Sequence, residues 1–410
     1  MDTENKDVML PADSQDTVQY LSWSPVANHL AVASWDGKVR IYDISSTGQA
    51  RGLSMLSVGS PVFSCDWAKD GNRVVAAGAD NKIHILDLAT NQHSIIGSHA
   101  APVRGVHYVQ VPGTYAPIVA SGSWDGTVKF WDLRQPANAD AAAAVTLKCD
   151  ERVYAMDAKA ELLVAATAGL KVHLVDLKNP SVFLKTIPSP LQYQTKTVSV
   201  FPDGKGWAIA SIEGRCGIRA LNEADSSNVD FTFRCHREVV ESKPIAQPKG
   251  KFNRVKHTDQ ITKVWTVNDV QFHPVHTKTF TTAGSDGSFF FWDRGGRTKL
   301  RGYPATSSYS SATTATTTTT TASPSSLFGG AFGGAFGGAA AKTTDGGSSS
   351  DKPPPSITAT SFSRDGTLFA YAVGYDWSWG HSANTPQTET KVMLHSVEDE
   401  DAKPKESRWG

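Results

Sequence analysis

Net charge is the first thing this chain lacks. Forty Lys plus Arg stand against forty Asp plus Glu in 410 residues, so no whole-molecule attraction to a polyanion or a membrane can be argued. Cysteine is scarce too. Cys65, Cys149, Cys216 and Cys235 share no metal-ligand spacing, and so few thiols in so long a chain read as small buried apolar groups rather than a zinc site or disulfides. No apolar run approaches the roughly 18–20 residues needed to cross a bilayer. The opening MDTENKDVMLPADSQD is acidic and polar, without the basic start and apolar stretch of a secretory signal, so a soluble intracellular protein with no membrane insertion is expected. Catalytic signatures are missing as well: there is no GxSxG, HExxH, Walker loop or strand-coupled GxGxxG. His273 and His276 in FHPVH have no third ligand nearby, so neither a metal nor a cofactor is expected.

What the chain does have is self-similarity. IYD closes at Asp43, ILD at Asp87, FWD at Asp132 and LVD at Asp176, in steps of 44, 45 and 44, and FWD recurs at Asp293. A further step of 45 reaches Leu221 after SIEGRCGIRAL, and the next unit comes 72 residues later, which implies an insertion. The seventh unit is SFSRDGTLFAYAVGYDWSW followed by KVMLHS. Asp36, Asp80, Asp125 and Asp286 each lie seven residues before the closing Asp, and Glu213 takes the matching place in the fifth unit. Gly or Asn follows each of these acids, as a two-residue hairpin turn demands. The flanks alternate, as in Val39 and Ile41 or Val128 and Phe130, which predicts one buried face per strand.

The pattern HLAVASW, turn, KVRIYD, linker, LSMLSV and then VFSCDWAKDG gives four strands per unit. One such sheet cannot cover its own apolar face, whereas a closed ring of them can. The sequence therefore predicts an all-β, monomeric, seven-bladed WD-repeat β-propeller, with DVML at 7–10 returning as the outermost strand of the last blade. Residues 1–302 hold the closing strand and blades one to six, 303–355 a disordered insertion, 356–398 the seventh blade and 399–410 a charged tail. In unit three, His99, Ser121, Asp125 and Trp131 are expected to form a buried hydrogen-bonded set that pins the blade. Unit four is the weakest, with Gly169 where an Asp is expected.

Several stretches go beyond the generic repeat: GSWDGTVKFWDLR (122–134), SPLQYQTKTVSVF (189–201), SIEGRCGIR (211–219), FTFRCHR (231–237), VNDVQFHPVH (267–276), GSDGSFFFWDRGGRTKL (284–300) and YDWSWGH (375–381). On these the chain resembles the WD-repeat messenger-RNA export factors of the nuclear pore. The spindle-checkpoint WD-repeat proteins are similar in the SIEGR and CHR-containing segments, but YDWSWGH matches the export branch. The resemblance implies no enzymatic activity and a place in the nucleus and at the nuclear envelope, with a cytoplasmic pool. It implies a groove made by Arg215, Phe233, Arg234, Trp292, Asp293, Arg297 and Lys299 that receives an acidic GLEBS-type segment of a phenylalanine-glycine nucleoporin. The alternative it leaves is a mitotic checkpoint adaptor binding a kinase or scaffold motif. These segments fall at strand ends and connections, where propellers offer side chains to ligands, and Arg can grip a carboxylate with two hydrogen bonds.

Two stretches depart from the repeat. Residues 303–355, rich in Thr, Ser, Gly and Ala, bury too little to fold; within them Phe328, Phe332 and Phe336 each precede two glycines, as in phenylalanine-glycine repeats. The shorter insertion REVVESKPIAQPKGKFNRVKHTDQ reads as a solvated loop in which Lys249, Lys251, Arg254 and Lys256 around Phe252 suit loose contact with single-stranded RNA. From Arg215 to Arg301 fifteen basic side chains face nine acidic ones, so an anionic partner is expected on the second half of the chain.

Overall fold

Each repeat folds where its turn residue takes the left-handed backbone conformation. Gly37, Asn81, Gly126, Gly214 and Gly287 have φ between 64° and 80°, a region in which Gly and Asn carry little penalty. The computed structural model describes residues 7–11, 14–45, 48–113, 116–135, 142–241, 260–303, 355–380, 384 and 390–403. Thr306–Pro354 separate as a second unit and lie outside the described residues.

The other unit is a seven-bladed propeller of four-stranded antiparallel sheets. Blade 1 is Val18–Trp23, His29–Ser34, Lys38–Ile44 and Ala50–Ser57; blade 2 is Val62–Trp67, Arg73–Gly78, Lys82–Asp87 and Gln92–Ser98; blade 3 is Val103–Val109, Ile118–Ser123, Thr127–Asp132 and Val145–Lys148. Blade 4 is Val153–Lys159, Leu162–Thr167, Lys171–Asp176 and Lys185–Pro188, and blade 5 is Thr195–Val200, Gly206–Ser211, Arg215–Ala220 and Phe231–Arg234. Blade 6 is Val267–Phe272, Thr279–Gly284, Phe289–Asp293 and Thr298–Tyr303. Blade 7 is Ser356–Phe362, Leu368–Gly374 and Lys391–Ser396, completed by Val8–Met9 from the start of the chain.

The first strand of every blade packs on the first strands of its two neighbours, and Val18–Trp23 meets Ser356–Phe362, so the ring closes. The core is accordingly divided among the seams. One cluster joins Val39, Ile41 and Leu56 of blade 1 to Val62, Trp67 and Val74 of blade 2, and another joins blades 4 and 5 through Leu174, Val198 and Trp207. This corrects the expectation of one buried face per strand. Leu162–Thr167 and Gly206–Ser211 are buried at every residue, because each blade has a neighbour on both sides, and the Ala and Ser in these strands allow close approach.

Polar groups also cross the seams. Asp66, Asp157 and Asp269, on the first strands of blades 2, 4 and 6, accept the backbone N–H of Tyr108 at 3.0 Å, Val200 at 2.7 Å and Thr360 at 2.9 Å in the following blade. The Trp67 indole donates to Ser22 O at 2.9 Å, and Thr358 Oγ1 closes the ring by donating to Val18 O at 2.6 Å. Such buried backbone groups are costly to leave unpaired.

Blade 4 forms despite lacking its turn acid. Asp150, from the preceding connection, supplies the carboxylate instead, 3.0 Å from His173 Nε2 and accepting from Thr167 Oγ1 at 3.1 Å. It occupies the space that a side chain at 169 would need: a Cβ on Gly169 would lie 2.7 Å from Asp150 Oδ2. The turn passes through Leu170 at φ 54°.

Three boundaries differ from the sequence reading. Tyr303, assigned to the insertion, ends blade 6, with its ring 4.8 Å from Phe289 and its hydroxyl donating to Asp401 at 2.8 Å. Residues 399–403 are not a free tail, since Asp399–Ala402 is a helical turn in which Asp401 is fully buried and Ala402 O accepts from Thr279. The ends of the shorter insertion are not loop but a ribbon, Arg237–Glu241 paired antiparallel with Gln260–Val264.

The closing strand is held by more than its ladder pairs, Val8 with Leu394 and Met9 with Met393. His395 lies between two acids, with Nδ1 2.8 Å from Asp7 and Nε2 3.4 Å from Asp401. Burial alone would lower its pKa, but hydrogen bonds to Asp401 and Asp7 outweigh it and push the value up to about 9. Both acids hold the imidazolium form, so this clasp contributes fully below the ordinary value of 6.5 and is lost as pH rises through about 9. Urea unfolding is expected to show stability falling by on the order of 3 kcal/mol across that window, and His395→Asn should flatten the dependence. Restoring the repeat acid with Gly169→Asp should lower stability by about 1–3 kcal/mol; a raised urea midpoint would contradict the Asp150 substitution.

Candidate functional site in the seam of blades 5 and 6

The groove residues suggested by the sequence come from two neighbouring blades. Arg215 opens the third strand of blade 5 and is the register partner of Arg234 on the fourth, with Phe233 opposite Cys216. Phe233 turns into the seam, its ring 4.6 Å from Trp292 and 6.1 Å from Phe280 of blade 6. Phe231 lies 5.8 Å from Phe233, and Phe290 lies 6.1 Å from Trp292. The result is a row of four half-buried rings, Phe231, Phe233, Trp292 and Phe290, with a cation at each end: Arg297 over Phe231 at 5.1 Å and Lys299 over Phe290 at 5.0 Å.

Two guanidinium groups on directly paired positions repel, and one acid stands beside them. Glu213 lies 3.5 Å from Arg215; Arg234 is exposed and has no acidic partner among the described residues. The adjacent ribbon forms a wall, with Arg237 donating to Glu213 O at 2.6 Å and Val264 against Gly214. This arrangement suits a chain bearing carboxylates along a narrow apolar strip.

Not every residue of the suggested set is free to bind. Asp293 is buried and accepts the backbone N–H of Gly295 at 2.9 Å and Gly296 at 2.8 Å, so its carboxylate is consumed by its own turn. Trp292 donates to Thr282 Oγ1 at 3.0 Å, and His236 places Nε2 3.0 Å from the same oxygen and Nδ1 2.9 Å from Asp286. Blade 3 has the same arrangement: His99 Nδ1 is 2.9 Å from Asp125, His99 Nε2 is 2.8 Å from Ser121, and Trp131 donates to Ser121 at 2.8 Å. Burial works against the Asp125 charge, but His99 and Thr127 outweigh it and hold the carboxyl below its usual range. The His236 set escaped the sequence reading because His236 and Asp286 are 50 residues apart, against 26 for His99 and Asp125, with the ribbon between them. A CHR segment ahead of GSDG was the available signal.

Lys249, Lys251, Phe252, Arg254 and Lys256 lie outside the described residues, as do Phe328, Phe332 and Phe336. His273 is engaged by backbone, its Nδ1 accepting from His276 N at 2.9 Å, and burial lowers its pKa to about 4. Among the described residues no group of three or more His, Cys, Asp or Glu is placed to hold a metal ion, and no helix is long and apolar enough to cross a membrane.

The WD domain, G-beta repeat family matches residues 8–43, 54–87 and 90–132. Over nearly its full length the chain is similar to named relatives. The WD40 repeat protein poxJ of Penicillium oxalicum is 41% identical over 98% of this chain and 96% of its own. The mRNA export factor GLE2 of Chaetomium thermophilum is 40% identical, with 98% and 93% covered. The Poly(A)+ RNA export protein of Schizosaccharomyces pombe is 34% identical, again with 98% and 93% covered. This chain belongs to the WD-repeat mRNA export factor family. Membership bears out the resemblance carried by SIEGR, FTFRCHR and FWDRGGRTK.

The seam residues should separate in mutagenesis by role. Thr282→Val leaves the Trp292 indole N–H and His236 Nε2 without their shared hydroxyl partner and is expected to cost about 1–3 kcal/mol of stability. Lys299→Ala, at an exposed position, should stay within about 0.5 kcal/mol of the parent in the same chemical denaturation assay.

Proposed function

We propose that this chain is a non-enzymatic adaptor of mRNA export at the nuclear pore, and that the seam of blades 5 and 6 grips an acidic GLEBS-type segment of a phenylalanine-glycine nucleoporin. The observation that carries this reading is the pairing of Arg215 with Arg234 beside Glu213, the one acid paired with them among the described residues, next to a row of aromatic rings ended by Arg297 and Lys299. A bound carboxylate relieves the repulsion between the guanidinium groups and accepts two hydrogen bonds from either. Apolar side chains of the same segment lie on the rings, with exposed Val264 of the ribbon beside Gly214. Relatives that carry export in their names support the cellular role, and with it a nuclear and pore-associated location with a cytoplasmic pool.

Affinity for an acidic nucleoporin peptide, measured by calorimetry before and after Arg215→Glu with Arg234→Glu, tests the site. The double reversal should cost about 2–5 kcal/mol, and a loss under about 0.5 kcal/mol would mean the groove lies elsewhere. A pull-down from cell extract should recover the nucleoporin; recovery of checkpoint kinases alone would reverse the reading in favour of a mitotic adaptor.

A further inference from the structure

The channel at the centre of the ring opens on one side into a cavity of about 320 Å³ that plays no part in the seam. Its wall combines Trp35, Phe63 and Trp124 with Arg104, Arg152 and Lys196, and among the described residues no Asp or Glu lines it. The rings form a continuous but tilted platform: Trp35 lies 5.6 Å from Phe63 at 52°, and Phe63 lies 5.9 Å from Trp124 at 32°. Trp377, from the YDWSWGH segment, extends it by stacking on Trp35 at 5.4 Å and 12°. Trp124 is exposed, Trp35 and Trp377 are half-buried, and each leaves aromatic surface in the opening.

Among the described residues the cations line the opening, while the acids that reach them, Asp269, Glu151 and Asp376, lie outside its wall. Arg104 donates to Phe63 O at a long 3.5 Å and feels the opposite charge of Asp269, and Arg152 has the exposed Glu151 3.9 Å away. Lys196 feels the like charge of Arg104 and the opposite charge of Asp376; burial and Arg104 both lower its pKa. Three polar atoms at this mouth are buried with no hydrogen-bond partner: Thr195 Oγ1, Trp377 Nε1 and Asp376 Oδ2. Groups like these are costly unless something satisfies them.

We propose that the channel mouth is a binding site for single-stranded RNA, in which one base enters and stacks on the exposed Trp124 of this platform while its phosphates lie against Arg104, Arg152 and Lys196. The cations call for an anion and the platform for a flat π-surface. The unpaired set includes a donor and an acceptor, and a base edge supplies both complements. A carboxylate of an acidic peptide would leave the Asp376 acceptor unsatisfied. The cavity has room for about one nucleotide, and a duplex, whose bases are stacked and paired, cannot deliver one.

Fluorescence anisotropy with the full chain, a labelled oligoadenylate and the matching duplex tests the site. The single strand should bind more tightly than the duplex, and Trp124→Ala should weaken it by about tenfold. Arg152→Glu and Lys196→Gln should each do the same and make the salt dependence shallower by about 0.7 or more in the log–log slope. The seam variant Arg215→Glu with Arg234→Glu should leave RNA affinity unchanged, which keeps this site separable from the peptide groove. Failure of the parent chain to bind the oligonucleotide, equal affinity for the duplex, or parent-like binding by Arg152→Glu and Trp124→Ala would overturn the proposal. So would loss of acidic-peptide binding, in place of RNA binding, in those two variants.

Discussion

Everything in this molecule depends on covering both faces of every blade. A four-stranded sheet has two faces, and a row of such sheets always leaves two uncovered at its ends. Closure removes the ends. The seam between blades 7 and 1 is therefore no different in kind from the others: Val18, Leu21 and Leu30 pack with Ala370, Val392 and Leu394 in a cluster that includes Leu10 of the closing strand. Because one blade is built from both ends of the chain, unfolding it requires the ring to open. His395, held between Asp7 and Asp401, adds an electrostatic tie at that point.

Inside the ring the same polar problem is solved differently from blade to blade. Blades 1 to 4 and 6 each place a carboxylate near the turn, and the source varies. Blade 1 pairs Asp36 with Arg40 at 2.7 Å, blade 2 pairs Asp80 with His84 at 2.7 Å, and blades 3 and 6 use the full His, hydroxyl, Asp and Trp set. Blade 4 borrows Asp150 from outside its turn. A carboxylate is paired in each of these five blades, while the residue that supplies it and the partner it meets differ.

These structural sets explain why the two candidate binding regions stand where they do. In the seam of blades 5 and 6, Trp292 and Asp293 are committed to the blade, and what is left for a partner is the outer layer of Arg215, Arg234, Arg297 and Lys299 with the edges of the rings. At the channel mouth the inner strands converge, and side chains such as Arg104 and Lys196 that follow each first strand's start meet across the axis. A propeller thus gathers like charges from distant repeats at positions where solvent or a ligand must neutralise them.

The number of blades, the turn positions at Gly37, Asn81, Gly126, Gly214 and Gly287 and the return of residues 7–10 to the last blade were legible in the chain alone. All of them follow from local turn chemistry and from a repeat that counts strands. Family membership was legible for the same reason, through contiguous segments. What only the tertiary structure decided was contact between repeats: the carboxylates of Asp66, Asp157 and Asp269 crossing to the next blade, Asp150 standing in at Gly169, His236 reaching Asp286 across the ribbon, and the aromatic and cationic mouth of the channel. Each joins residues from different repeats or from either side of an insertion, and their adjacency exists only after the ring has closed. A periodic sequence encodes its unit strongly and says little about which polar atoms face each other once units are stacked.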